Sequence, residues 1–176
     1  MRVLIMIGDG FEDSEFVYPY YRLQEEGYSV DIIGSKANET YSGKHGVSFK
    51  SGLSAGEVSV DQYQAVIIPG GRAPDKMRLD KTLVQLIKEA HSKERVIAAI
   101  CHGPQMLIEA DILHGRKATC WKSVATDLKN AGATYIDAPV VVDGNIVTSR
   151  HPGDLPQFCK EIINLLKEKR PSSPDK

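Results

Sequence analysis

Three short apolar runs, each ending at a turn, constrain the fold of this 176-residue chain more than any other feature. Val3-Leu4-Ile5-Met6-Ile7 stops at Gly8-Asp9-Gly10, Ala65-Val66-Ile67-Ile68 at Pro69-Gly70-Gly71, and Val96-Ile97-Ala98-Ala99-Ile100 at Cys101-His102. Unbroken apolar runs of this length are what a strand covered on both faces requires. Residues 28–33 read as a fourth strand. Between the strands, residues 13–26 place Phe16, Val17, Tyr20, Tyr21 and Leu23 at helical spacing, with Gly27 as the C-cap. Pro19 inside that segment predicts a kink or a late start. Residues 79–92 and 103–110 read as further helices. Strands alternating with helices imply right-handed βαβ units, and hence a doubly wound, mostly parallel α/β sheet with helices on both faces.

Two hairpins interrupt the alternation: residues 40–50 with Gly43 and Gly46, and residues 140–148, whose Asp143-Gly144 is a strong two-residue turn signal. Residues 152–167 carry Leu155, Phe158, Ile162, Leu165 and Leu166 on one side of a last helix. Residues 1–168 are read as one domain, large enough to bury a core without disulfides or metal, and residues 169–176 as an unstructured tail.

Charge and cysteine content narrow the function. With 22 Lys and Arg against 23 Asp and Glu, no global field favours nucleic acid or an anionic membrane. There is no run of about 18 apolar residues and no cleavable leader pattern, so a cytoplasmic protein is expected. The three cysteines, Cys101, Cys120 and Cys159, form no CxxC pair, which suits a reducing compartment and argues against a zinc site. Gly8-Asp9-Gly10 alone does not make a phosphate loop, and no cofactor or metal is expected.

In a doubly wound sheet, ligands bind beyond the carboxyl ends of the strands, and the turns after residues 7, 68 and 100 all fall there. Cys101, between a strand end and a helix start, has the setting of a nucleophile elbow; its bland alternative is a buried space-filler. A thiol near its ordinary pKa of about 8.5 is mostly protonated at neutral pH, so a working cysteine needs help from neighbours or a helix start. His102 is a candidate acid or base, or a plain helix-start residue. The backbone N–H groups of Gly71 and His102 are candidate oxyanion donors, Gly70 and Gly71 letting main chain approach a substrate closely. Glu12 follows the first strand; beside a thiolate it must be protonated and donate to sulfur. Otherwise Glu12, like Asp13 and Glu15, serves only to favour a helix N-terminus.

With Glu12, Pro69-Gly70-Gly71-Arg72-Ala73-Pro74 and Ala99-Ile100-Cys101-His102-Gly103-Pro104-Gln105 in place, the chain resembles the PfpI-type intracellular proteases. These sit in the class I glutamine amidotransferase-like superfamily that also contains the protein deglycases. The resemblance runs from Val3 to about Leu166 and includes Tyr18-Pro19-Tyr20, the Gly43-Lys44-His45-Gly46 core, Gly115-Arg116-Lys117, residues 130–133, and residues 140–145 leading to Ser149-Arg150.

The resemblance implies a flavodoxin-like sandwich with Cys101 as nucleophile, Glu12 as its protonated partner, and Gly71 and His102 as oxyanion donors. It further implies a homo-oligomer, dimer, trimer or hexamer, in which Asp75 of a neighbouring subunit orients His102. The archaeal proteases carry Glu there, so the shorter Asp75 makes a looser or water-bridged triad; its alternative is an N-cap for a helix over residues 76–79. Trp121 stands where related proteases carry Tyr, giving a broad wall without a phenolic donor. Cys120 is a resolving thiol if it turns inward and otherwise a buried residue. His151 is placed to line the crevice. Amidotransferases of related fold need a His-Pro-Glu sequence, and His151-Pro152-Gly153-Asp154 lacks that Glu.

The implied activity is that of a stress-protective cysteine hydrolase. It would act as a protein deglycase or glutathione-independent glyoxalase on methylglyoxal or glyoxal adducts, as a peptidase on short peptides, or both. The alternative is a non-catalytic redox sensor or stress chaperone with an oxidisable Cys101.

Overall fold

The computed structural model describes residues 1–169, so the expected tail lies, from residue 170 on, outside the described residues. In chain order the elements are β1 (Arg2–Met6), α1 (Asp13–Glu25), β2 (Ser29–Gly34), β3 (Thr40–Ser42), β4 (Ser48–Lys50), β5 (Leu53–Ser54) and β6 (Tyr63–Ile68). There follow α2 (Ala73–Met77), α3 (Lys81–Ser92), β7 (Val96–Ile100), α4 (Pro104–Glu109), β8 (Lys117–Ala118) and α5 (Ala125–Asn130). The chain continues through β9 (Thr134–Tyr135), β10 (Val140–Asp143), β11 (Ile146–Ser149) and α6 (Leu155–Glu168).

Seven strands form one sheet in the order β10-β11-β7-β6-β1-β2-β5, parallel except for the β10–β11 hairpin at one edge. Helices cover both faces, giving the flavodoxin-like α/β architecture expected. β1, β6 and β7 are central, which is why their sequences are apolar throughout: Val3 to Met6 and Val96 to Ile100 are all fully buried. β3 and β4 pair as the separate small hairpin, and β8 and β9 make a two-stranded parallel ribbon without a sequence signal.

Several boundaries move. α1 starts at Asp13 with Pro19 inside it, so the helix has no late start. The helix read from residue 79 begins at Lys81, because Asp80 is its N-cap and accepts from the N–H groups of Thr82 and Leu83. Leu79 is left 81% exposed outside it. Asp75 is therefore no N-cap for a helix over 76–79; it sits inside the short α2. Among the described residues, no helix is long and apolar enough to cross a membrane.

Candidate active site

Cys101 follows the last residue of β7 in a left-handed backbone conformation, φ +63°, which a residue with a Cβ adopts only under constraint. The constraint is visible in three backbone hydrogen bonds. The Cys101 N–H donates to Ser149 O at 3.0 Å, its carbonyl accepts from the Trp121 N–H at 2.8 Å, and the Gly103 N–H donates to Ile100 O at 2.8 Å. The side chain is thereby turned back over the sheet end, where the residue is only 8% exposed and is reached through a cavity.

Two backbone N–H groups, those of Gly71 and His102, face the Cys101 sulfur. Gly71 comes from the turn after β6 and has φ +81°. That turn is stitched to the one after β1: the Glu12 N–H donates to Gly70 O at 3.2 Å and the Arg72 N–H to Gly10 O at 2.8 Å. A Cβ on Gly71 would press on backbone atoms of Glu12 and Gly10, so only glycine allows this approach. The imidazole of His102 lies with Nδ1 3.3 Å from the sulfur. Burial, helped by the Lys44 ammonium, holds its pKa below the ordinary histidine value, so the ring is neutral and able to accept a proton.

The carboxyl beside the sulfur belongs to Glu15, which corrects the expectation for Glu12. Glu12 is the N-cap residue of α1, and its extended backbone (φ −75°, ψ 117°) carries the side chain outward to Lys44 Nζ at 2.9 Å and His45 Nε2 at 3.4 Å. Glu15, one turn further in, is fully buried. Its Oε2 accepts from the Gly70 N–H at 2.7 Å. Its Oε1 has no oxygen or nitrogen partner among the described residues, and the carboxyl interacts with the Cys101 thiol. Burial raises the Glu15 pKa to about 8 against the pull of the Gly70 N–H. The group therefore carries its proton at neutral pH and is a donor toward sulfur. Burial and any charge on Glu15 push the Cys101 thiol up, while the Gly71 and His102 N–H groups pull it down. In the resting site at neutral pH both groups therefore hold their protons.

A cavity of about 640 Å³ opens over this group and is lined by Glu12, Glu15, Lys44, Gly71, Arg72, Asp75, Lys76, Cys101, His102, Gln105, Trp121 and Pro152. Of the expected lining residues, Trp121 is present, its indole stacked on the His102 ring at 6.4 Å. Gly70 is buried and does not line the cavity, its N–H spent on Glu15. His151 is on the far side of Trp121, in a smaller side cavity of about 260 Å³ shared with Cys120, Tyr135 and Arg150. Cys120 thus faces away from Cys101, and burial raises its thiol to about 12. Asp75 lines the main cavity, but its carboxylate makes no hydrogen bond or ion pair within the described residues.

The cluster of metal-type ligands found among the described residues, Glu12, Asp13 and His45, is already committed. The Asp13 oxygens accept from the His45 and Val47 N–H groups at 2.9 Å each, and Glu12 holds Lys44. These contacts latch the β3–β4 turn onto the start of α1. The sequence reading missed Glu15 and Lys44. The signal for Glu15 was its place at positions 15, 19 and 23, the stripe that also holds the buried Pro19 and Leu23.

Comparison with known proteins finds relatives along almost the whole chain. Deglycase PfpI of Pyrococcus furiosus is 46% identical over 167 residues, covering 95% of this chain and all of that one. Protein/nucleic acid deglycase 2 of Escherichia coli is 41% identical over 167 residues, covering 94% and 97%. Among solved structures, a two-domain Anabaena variabilis protein with DJ-1/ThiJ/PfpI-like and ferritin-like domains superposes with a TM-score of 0.93 at 44% identity. The match covers 94% of this chain and 48% of that one. The family model for DJ-1/PfpI matches residues 1–165, and the chain belongs to the DJ-1/PfpI family.

Proposed function

We propose that this protein is a cysteine-dependent deglycase that acts on methylglyoxal or glyoxal adducts of amines and thiols, with glyoxalase action on the free aldehyde and cleavage of short peptides as side reactions of the same thiol. The observation that carries the reading is the convergence on one strained sulfur of two uncommitted N–H donors, a neutral imidazole and a protonated carboxyl.

In the reaction, the aminocarbinol first expels its amine, leaving an aldehyde carbon next to a ketone. The Cys101 sulfur bonds to the aldehyde carbon as thiolate while His102 Nδ1 takes the thiol proton, and the resulting oxyanion lies at the Gly71 and His102 N–H groups. A proton then moves from that carbon to the neighbouring one through an enediolate, converting the thiohemiacetal to a 2-hydroxy thioester. Water cleaves the thioester to release lactate or glycolate and restore the thiol. One water is added in all, and the oxidation of one carbon balances the reduction of the next, so no external oxidant enters. Glu15, titrating near 8, supplies and recovers a proton at sulfur.

Asp75 is assigned to the His102 of a neighbouring copy, which makes the working form a homo-oligomer. Dilution to monomer is expected to lower turnover per chain several-fold, and Asp75→Ala to mimic dilution in the assembled protein. Unchanged specific activity at all concentrations would remove Asp75 from the site.

The deciding assay compares wild type with Cys101→Ala on methylglyoxal-modified N-acetyl arginine and cysteine, free methylglyoxal and a fluorogenic peptide, without added thiol. Turnover that vanishes in the variant is expected, with the adducts giving the highest kcat/KM. Equal consumption by both proteins would end the reading. Stoichiometric oxidation of Cys101 by peroxide with no turnover would favour a sensor instead.

A further inference from the structure

The polar rim of the main cavity is richer in unpaired cations than the proposed chemistry at sulfur needs. Lys44 is carried into the cavity by the β3–β4 turn. That turn is fixed by the two Asp13 contacts and by the Lys44 N–H donating to Phe11 O at 2.9 Å. The Lys44 ammonium spends one hydrogen on Glu12 and retains two. Arg72 and Lys76, from the turn after β6 and from α2, line the same cavity, and neither side chain makes a hydrogen bond or ion pair among the described residues. Against these three cations stand Glu12, already bound to Lys44, Glu15, which carries its proton, and Asp75. The charge left over is positive and lies beside the sulfur.

We propose that Lys44, Arg72 and Lys76 form an anion subsite that holds the carboxylate of a small carbonyl compound bound at Cys101. Its ligands are 2-oxo acids and the 2-hydroxycarboxylate that the reaction releases. The product end of the assignment rests on the deglycase reading; the subsite itself does not. Glyoxylate is the simplest occupant. Its aldehyde carbon bonds to Sγ, the thiol proton ends on the former carbonyl oxygen, nothing leaves, and the carboxylate meets the cations. The adduct is a reversible thiohemiacetal.

Alkylation of Cys101 tests this without turnover. Iodoacetate carries a carboxylate and iodoacetamide does not, so the ratio of their rates at Cys101, followed by peptide mass spectrometry, reads the local field. Wild type is expected to favour iodoacetate over the ratio for free cysteine by roughly tenfold at low salt. The preference should collapse toward one in about 0.5 M NaCl, where the screening length is short. Lys44→Gln and the Arg72→Gln/Lys76→Gln double variant should each lower the ratio several-fold, and Lys44→Arg should restore it. Glyoxylate should protect Cys101 from iodoacetamide in wild type, with the protection weakened by at least several-fold in the Gln variants.

A wild-type ratio equal to that of free cysteine and independent of salt, or no protection by glyoxylate, overturns the subsite even if a variant fails to fold. Wild-type selectivity and protection in well-folded Gln variants overturns the assignment to these three residues. Absence of turnover on dicarbonyl adducts together with salt-sensitive iodoacetate preference overturns the deglycase reading and leaves the subsite standing.

Discussion

Replacing Glu15 by glutamine is expected to yield a protein that is more stable at neutral pH and at least about 100-fold less active. The sign follows from the raised carboxyl. Folded, Glu15 titrates near 8, against 4.5 for an unperturbed glutamate. Between those values the native state retains a proton that the unfolded chain has released, so folding grows less favourable as pH rises through that window. At pH 7 the cost is about 3 kcal/mol, from about 1.4 kcal/mol per pH unit. Glutamine keeps an acceptor for the Gly70 N–H and has no charge to lose, so it removes this cost. Urea denaturation at pH 5 and pH 8 is the check: the two proteins should be close in stability at pH 5 and diverge at pH 8, with the variant ahead. A gap that does not change with pH would mean that Glu15 is ionised in the fold. In activity, glutamine can donate to sulfur but cannot give up and recover a proton. The alkaline limb of the wild-type rate profile should therefore disappear along with most of the turnover.

Gly71→Ala is expected to damage both fold and site. The backbone there has φ +81°, and the new methyl would meet the backbone atoms that join the turns after β1 and β6. A non-glycine residue in that region costs on the order of 1–3 kcal/mol before any clash is counted, so a loss of at least about 2 kcal/mol is expected. Whatever fraction folds should have an N–H displaced from the sulfur. Loss of one oxyanion donor lowers kcat by about 100-fold to 1000-fold. Thermal melting and kcat measured together separate the two effects. A variant with wild-type melting and wild-type kcat would show that the Gly71 N–H is not used.

The central sheet was legible in the sequence because β1, β6 and β7 are buried on both faces, leaving uninterrupted apolar runs. The β8–β9 ribbon and α5 were not, because two-residue strands and a six-residue helix that buries only Leu128 are too short to set a period. The site was legible where backbone geometry is written in residue type, as at Gly71 and Cys101. It was misread where a helix had to be oriented. Both Glu12 and Glu15 follow β1, and position after the strand favoured the nearer one. The choice is made by packing: the Phe16 and Leu23 side chains lock α1 onto the sheet, and the same face turns Glu15 inward and leaves Glu12 to the hairpin. His151 was displaced for a comparable reason, since the Trp121 indole occupies the space between its ring and the main cavity.

Trp121 is the chain's single tryptophan, and it stands in the wall between the two cavities with one imidazole on each side. Protonated imidazole quenches indole emission, and at 40% exposure the ring still senses a change of medium. The protein thus contains its own fluorophore at the point where ligand, His102 and the segment that holds the Cys101 carbonyl all meet. Its intrinsic emission is therefore expected to shift when a ligand enters the cavity, a readout that needs no label.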